Sequence, residues 1–99
     1  MTDKTKIIKE HLSTVIDPDM DIDIINLGLI YNIEINDDIC NIEMTMPTRS
    51  CQFGESMAQN VIKTVEKIDF VSKCNLNIVW NPVWTKDRMS KLARMTLGV

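Results

Sequence analysis

The stretch from Leu29 to Met46, LIYNIEINDDICNIEMTM, decides the fold. Its first half alternates, with Tyr31, Ile33 and Ile35 on one side of an extended chain and Asn32 and Glu34 on the other. From Ile39 to Met46 it alternates again, with Cys40, Ile42, Met44 and Met46 on the apolar side. Period two is the mark of a half-buried strand. Between the halves lies Asn36-Asp37-Asp38, residue types that favour a tight turn. The stretch predicts a β-hairpin with one wet face.

Working outward, the pattern changes period. From about Asp3 to Val15 the apolar residues are Ile7, Ile8, Leu12 and Val15, one face of a helix. Asp17-Pro18 predicts its end, because the residue before a proline avoids the helical region. From about Gly54 to Ile68, a broad apolar stripe of Met57, Ala58, Val61, Ile62, Val65 and Ile68 predicts a second helix. A third strand is expected from about Val71 to Trp80, with Cys74, Leu76, Ile78 and Trp80 inward and Pro82 as its stop. A last short helix is expected from about Asp87 to Met95, ending at Leu97-Gly98. The order α-β-β-α-β-α predicts an α+β fold, one domain over residues 1–99. It is a two-layer α/β sandwich, with helices on one face of a small three-stranded sheet.

Composition narrows the function. The chain has 99 residues, 44% apolar and 25% charged, with a net charge of −3. A nucleic-acid surface needs a basic stripe, and this balance argues against one. The cluster Lys86, Arg88, Lys91 and Arg94 reads as a solvated helix face. No apolar run approaches the roughly 20 residues that cross a bilayer, and the N-terminus leads into no signal-peptide hydrophobic region. The expected location is the cytoplasm, where thiols stay mostly reduced. The cysteine count is odd (Cys40, Cys51, Cys74), and no two are spaced as C-x-x-C. Neither a disulfide framework nor a self-contained zinc or cluster site is expected.

Most chemistries lack their parts. The aspartates between Asp17 and Asp23 do not make the twelve-position calcium loop. The glycines Gly28, Gly54 and Gly98 are isolated, so there is no phosphate loop. The lone histidine, His11, lies on a separate helix from any nucleophile and is given no role.

Cys51 is placed differently from the other two cysteines. It follows the polar loop Pro47-Thr48-Arg49-Ser50 and directly precedes the second helix. Unpaired N–H groups and the positive end of the dipole at a helix start favour thiolate. Arg49 adds a positive charge, and Thr48 and Ser50 are hydrogen-bond donors for a sulfur or an anion. A buried cysteine at a helix start is the competing reading, and local physics does not choose between them. Cys40 and Cys74 fall on inward strand positions and read as small core hydrophobes. Trp84, in Asn81-Pro82-Val83-Trp84, either packs its loop onto the core or walls a pocket at Cys51.

Three motifs then align in order. The first is Asp17-Pro18-Asp19 followed by Asn26-Leu27-Gly28-Leu29-Ile30-Tyr31. The second is Met44-Thr45-Met46-Pro47-Thr48-Arg49-Ser50-Cys51-Gln52. The third is Pro82-Val83-Trp84, then Met89-Ser90 and Ala93-Arg94-Met95. With these the chain resembles the SufT/PaaD-like iron–sulfur cluster assembly domain family, over about Ile7 to Gly98. It departs from the family pattern at Asp19, where Glu is usual, and at Arg49 and Gln52, where prolines flank the cysteine. The resemblance implies a helper in metalloprotein maturation and not an enzyme. Cys51 would be the functional thiol and the metal ligand, with Asp17, Asp19, Thr48 and Trp84 around it. The cargo would be a transient iron or iron–sulfur cluster, with none stably bound. One thiol cannot complete a four-ligand site, so ligation would be shared with a partner or across a homodimer. The expected partners are apo iron–sulfur client proteins and cluster scaffolds, with no nucleic acid and no membrane. The alternative is a metal-free adaptor that binds proteins during maturation.

Overall fold

The computed structural model describes residues 3–18, 20–46 and 54–98. Helix α1 spans Asp3–Leu12. The hairpin strands are β3 (Ile30–Asn36) and β4 (Ile39–Met44), helix α2 spans Gly54–Glu66, and strand β5 spans Lys73–Ile78. Helix α3 spans Lys91–Leu97. Two elements were not legible in the sequence: β1 (Ile16–Asp17) and β2 (Ile22–Asp23), a two-residue antiparallel ribbon within the acidic segment. The architecture is α+β, as the alternation predicts, with this small ribbon added.

The three-stranded sheet has the order β3-β4-β5. The β3–β4 pair is antiparallel and closed by the turn at Asp37, whose φ is +56°. The β4–β5 pair is parallel, with Cys40 opposite Cys74, Ile42 opposite Leu76 and Met44 opposite Ile78. Parallel neighbours need a long crossover, and α2 lies in it. Helix α1 packs on α2 and β3, and α2 packs on β5. Between the layers, Ile8 and Leu12 of α1, Val61 and Val65 of α2, and Ile42 and Met44 of β4 are fully buried. Each contributes about 1.5–3 kcal/mol by leaving water. The far face of the sheet is wet, with Asn75 donating to Asn41 across the strands at 3.0 Å.

Strand β5 is shorter at both ends than the expected Val71 to Trp80, and three further features depart from the sequence expectation, each for a local reason. Helix α1 stops at Leu12, five residues before Asp17. The hydroxyls of Ser13 and Thr14 donate back to the Glu10 and His11 carbonyls, and β1 then begins at Ile16. In β3 a register shift between Ile30 and Asn32 puts Ile30 opposite Met44, so Ile30 is packed against the core although it directly precedes the alternating, half-buried Tyr31, Ile33 and Ile35. The last helix is split: a 3₁₀ turn spans Lys86–Arg88, and α3 starts only after Ser90. Ser90 is the cause, because its extended backbone and side chain cap α3 by accepting from the Ala93 N–H at 3.1 Å.

Candidate functional site at one edge of the sheet

Parallel pairing of β4 and β5 brings their C-terminal ends to one edge, where β3 begins. Ile30, Met44 and Ile78 are in register there. The bonds Thr45 N–H to Leu29 carbonyl and Val79 N–H to Met44 carbonyl, both 2.8 Å, continue the pairing past the strand ends. Three chain segments meet the sheet at this edge: the one before β3, the one after β4 and the one after β5.

The segment before β3 carries most of the joinery. Asp23 accepts from the Asn26 N–H at 3.0 Å and from the Asn26 amide at 2.7 Å. The Asn26 side-chain oxygen accepts from the Ser90 hydroxyl at 2.7 Å, and its carbonyl accepts from the Ser90 N–H at 2.8 Å. The Leu27 carbonyl accepts from the Trp84 indole N–H at 2.8 Å. Gly28 has φ +75°, and a Cβ there would overlap the Arg88 carbonyl oxygen. Asn26-Leu27-Gly28 is thus a dock for the C-terminal segment, one residue per function.

Beside this dock lies an open pocket of about 540 Å³, lined by Gly28, Ile30, Tyr31, Pro82, Asp87 and Arg88. The Tyr31 hydroxyl donates to the Pro82 carbonyl at 2.9 Å. The Arg88 guanidinium lies over the Tyr31 ring, 4.5 Å from its centroid. A stacked guanidinium keeps its edge for a planar anion. The register shift in β3 falls at Tyr31, between Ile30 and Asn32.

Of the residues singled out in the sequence, Asp17 is 1% exposed and accepts from the Met20 N–H at 3.2 Å. Trp84 is half-buried and pinned on Leu27. Cys51, Thr48 and Asp19 lie outside the described residues, as do Arg49 and Ser50, so the expected grouping around the thiol is a matter for proposal. Thr45, at the head of the segment that leads to Cys51, is 1% exposed, and its hydroxyl has no partner among the described residues. Asp23, Asn26, Tyr31, Arg88 and Ser90 build this edge through their contacts, which the sequence pattern alone does not assign. The signal for Asn26 was present, since it opens one of the quoted motifs. For Ser90 the signal was a serine three residues before Ala93 at the start of an apolar turn.

Cys40 and Cys74 are buried register partners on adjacent strands. The hydrogen bond between the thiols lowers Cys40 from the ordinary 9.0, against the effect of burial. The same bond pushes Cys74 far above the ordinary range, with burial and the charges of Cys40 and Glu66 adding to the rise. Among the described residues, no group of three or more His, Cys, Asp and Glu converges to hold a metal ion. Nor is any described helix long and apolar enough to cross a membrane.

The motifs and the fold define a class. The family described as "Iron-sulfur cluster assembly protein" matches residues 6–76, and the chain belongs to it. Among individual proteins, it is 41% identical over 86 residues to the Fe-S protein maturation auxiliary factor SufT of Staphylococcus aureus (strain USA300), covering 86% of this chain and 98% of that one. It is 36% identical over 89 residues to the Fe-S protein maturation auxiliary factor YitW of Bacillus subtilis (strain 168), covering 89% and 87%. The crystal structure of a domain of unknown function, DUF59, from Bacillus anthracis superposes with a TM-score of 0.92 at 34% identity, covering 97% and 92%. A Mycobacterium tuberculosis protein described as associated with Fe-S complex assembly and repair has a TM-score of 0.56 at 25% identity, covering 92% and 80%.

Proposed function

We propose that this protein is a non-catalytic cytoplasmic accessory factor that helps assemble iron–sulfur clusters or deliver them to apo-proteins, with Cys51 as the thiol that touches the cargo. The observation that carries the reading is the family match over residues 6–76, which spans the whole β4–α2 connection in which Cys51 lies. The names of the relatives, maturation auxiliary factors, point the same way. The other two thiols are sequestered in the core, so Cys51 is left as the cysteine for chemistry. A single thiolate ligates iron or a cluster only together with ligands from elsewhere, so the cargo is bridged to a scaffold, a client or a second copy. Thr48, Asp17, Asp19 and Trp84 are proposed to shape the surroundings of that thiol.

The test is anaerobic reconstitution with iron and sulfide, comparing wild type with Cys51→Ser by absorbance and bound iron. Iron retention that needs Cys51 supports ligation. The second reading is a metal-free adaptor that binds proteins during maturation. That reading is favoured if Cys51→Ser retains full function in client maturation.

A further inference from the structure

We propose that the outer face of α3 is a docking site for an acidic, amphipathic segment of a partner protein. Three of the described chain's large apolar side chains are more than half exposed, and all are near its end: Val83 at 73%, Leu92 at 66% and Met95 at 68%. Leu92 and Met95 are three apart on α3 and share a face. On the opposite side Ala93 is buried against the body, and Ser90 and Trp84 anchor the segment to Asn26 and Leu27. The apolar face is therefore held outward on a fixed mount.

Charge selects the occupant. Residues 83–98 carry Lys86, Arg88, Lys91 and Arg94 against Asp87 alone, a net +3 on a chain whose total is −3. The rest of the chain is therefore at −6. Lys91 precedes Met95 by one turn, and Arg94 adjoins it, so the apolar pair is flanked by cations. The pocket with the stacked Arg88 is walled by the same segment through Asp87 and Arg88. A twofold dimer through α3 would set +3 against +3, which disfavours a second copy on this face. A helix with leucine-type anchors and flanking carboxylates satisfies both the apolar pair and the cations.

This inference specifies a surface and stands apart from the cluster chemistry of Cys51, so its test uses no maturation readout. The probes are two designed helical peptides of equal length with one leucine stripe, flanked by glutamates in one and by lysines in the other. Each is titrated into the isotopically labelled full chain and followed by amide NMR. The acidic peptide is expected to shift the amides of residues 91–97, to weaken with salt, and to bind at least about tenfold more tightly than the basic one. Leu92→Ser with Met95→Ser should abolish binding, and Lys91→Glu with Arg94→Glu should reverse the preference. These positions are on the surface, and retained amide dispersion reports that each variant is folded. Equal binding of both peptides, no binding, or shifts mapping elsewhere would overturn the proposal. So would self-association that Leu92→Ser removes, which names a second copy as occupant. Displacement of the acidic peptide by phosphatidylglycerol vesicles would assign the face to an anionic membrane instead.

Discussion

Thr45 holds a hydroxyl out of water with no partner among the described residues. Leaving such a group unsatisfied costs about 1–3 kcal/mol, whereas removing it at constant shape is neutral or favourable. Thr45→Val is expected to leave the thermal midpoint unchanged or raise it, as a melting curve would show. If the hydroxyl serves the segment carrying Cys51, the same variant should lower client maturation despite its stability. Gly28 carries the opposite expectation. Its positive φ and the Arg88 carbonyl in the place of a Cβ make Gly28→Ala costly twice over. We expect a loss well above about 1 kcal/mol in urea unfolding, and a cost no larger than that of an exposed helix substitution would contradict the dock. Cys74 gives a pH dependence whose sign can be worked out. Its folded value is raised, so above the ordinary thiol value of 9.0 the unfolded chain loses a proton that the folded one keeps. Its contribution to stability is fully present below pH 9 and falls as pH rises, by at most about 1.4 kcal/mol per pH unit. The same bond holds Cys40 low, and removing Cys74 alone would leave burial to raise Cys40 in its place, so the test replaces both: Cys40→Ala with Cys74→Ala should flatten the alkaline limb of stability against pH, after subtraction of the background shared by both proteins.

Elements differ in how far they can be read from sequence. The hairpin was legible because its alternation runs through strands of seven and six residues, long enough to define a face. The β1–β2 ribbon was not, since two residues per strand carry no period. Parallel pairing of β4 with β5 left no trace in either strand, because register lives between segments that are far apart in sequence. The same is true of the dock: Trp84 meets Leu27 across 57 positions, and Ser90 meets Asn26 across 64. What could be read were the docking residues themselves, quoted as motifs without their contacts. The split of the last helix follows from Ser90, which works both as cap and as tether. Ser90→Ala should therefore cost more than an isolated cap, about 1 kcal/mol for the cap plus about 1 for the tether. Asn26→Ala should cost a similar amount. In a double-mutant cycle the two effects should fall short of additive, because both remove one hydrogen bond. Strict additivity would mean that the Asn26–Ser90 bond contributes nothing in solution.

At the scale of the whole molecule, the fold gathers three strand ends at one edge, and in sequence Cys51 follows the middle strand, β4. A maturation factor is read out in its clients, beyond its own fold. The prediction is therefore functional. Loss of the protein should lower the activity of iron–sulfur enzymes such as cluster-dependent dehydratases, without a comparable fall in their polypeptide levels. An accessory factor limits flux only when flux is high, so the defect should deepen when iron is scarce or cluster demand rises. Serine in place of cysteine at 51 is nearly isosteric, and Cys51→Ser should melt like wild type. If cargo is ligated through that thiol, the variant should reproduce most of the deletion defect. The measurement is enzyme activity per polypeptide in a deletion strain complemented with wild type or Cys51→Ser. Unchanged activity in the deletion under high demand would end the maturation role. Full rescue by Cys51→Ser would remove the thiol from the mechanism and leave the protein an adaptor, whose working parts would then be sought on its surface, in the basic apolar face of α3 before anywhere else.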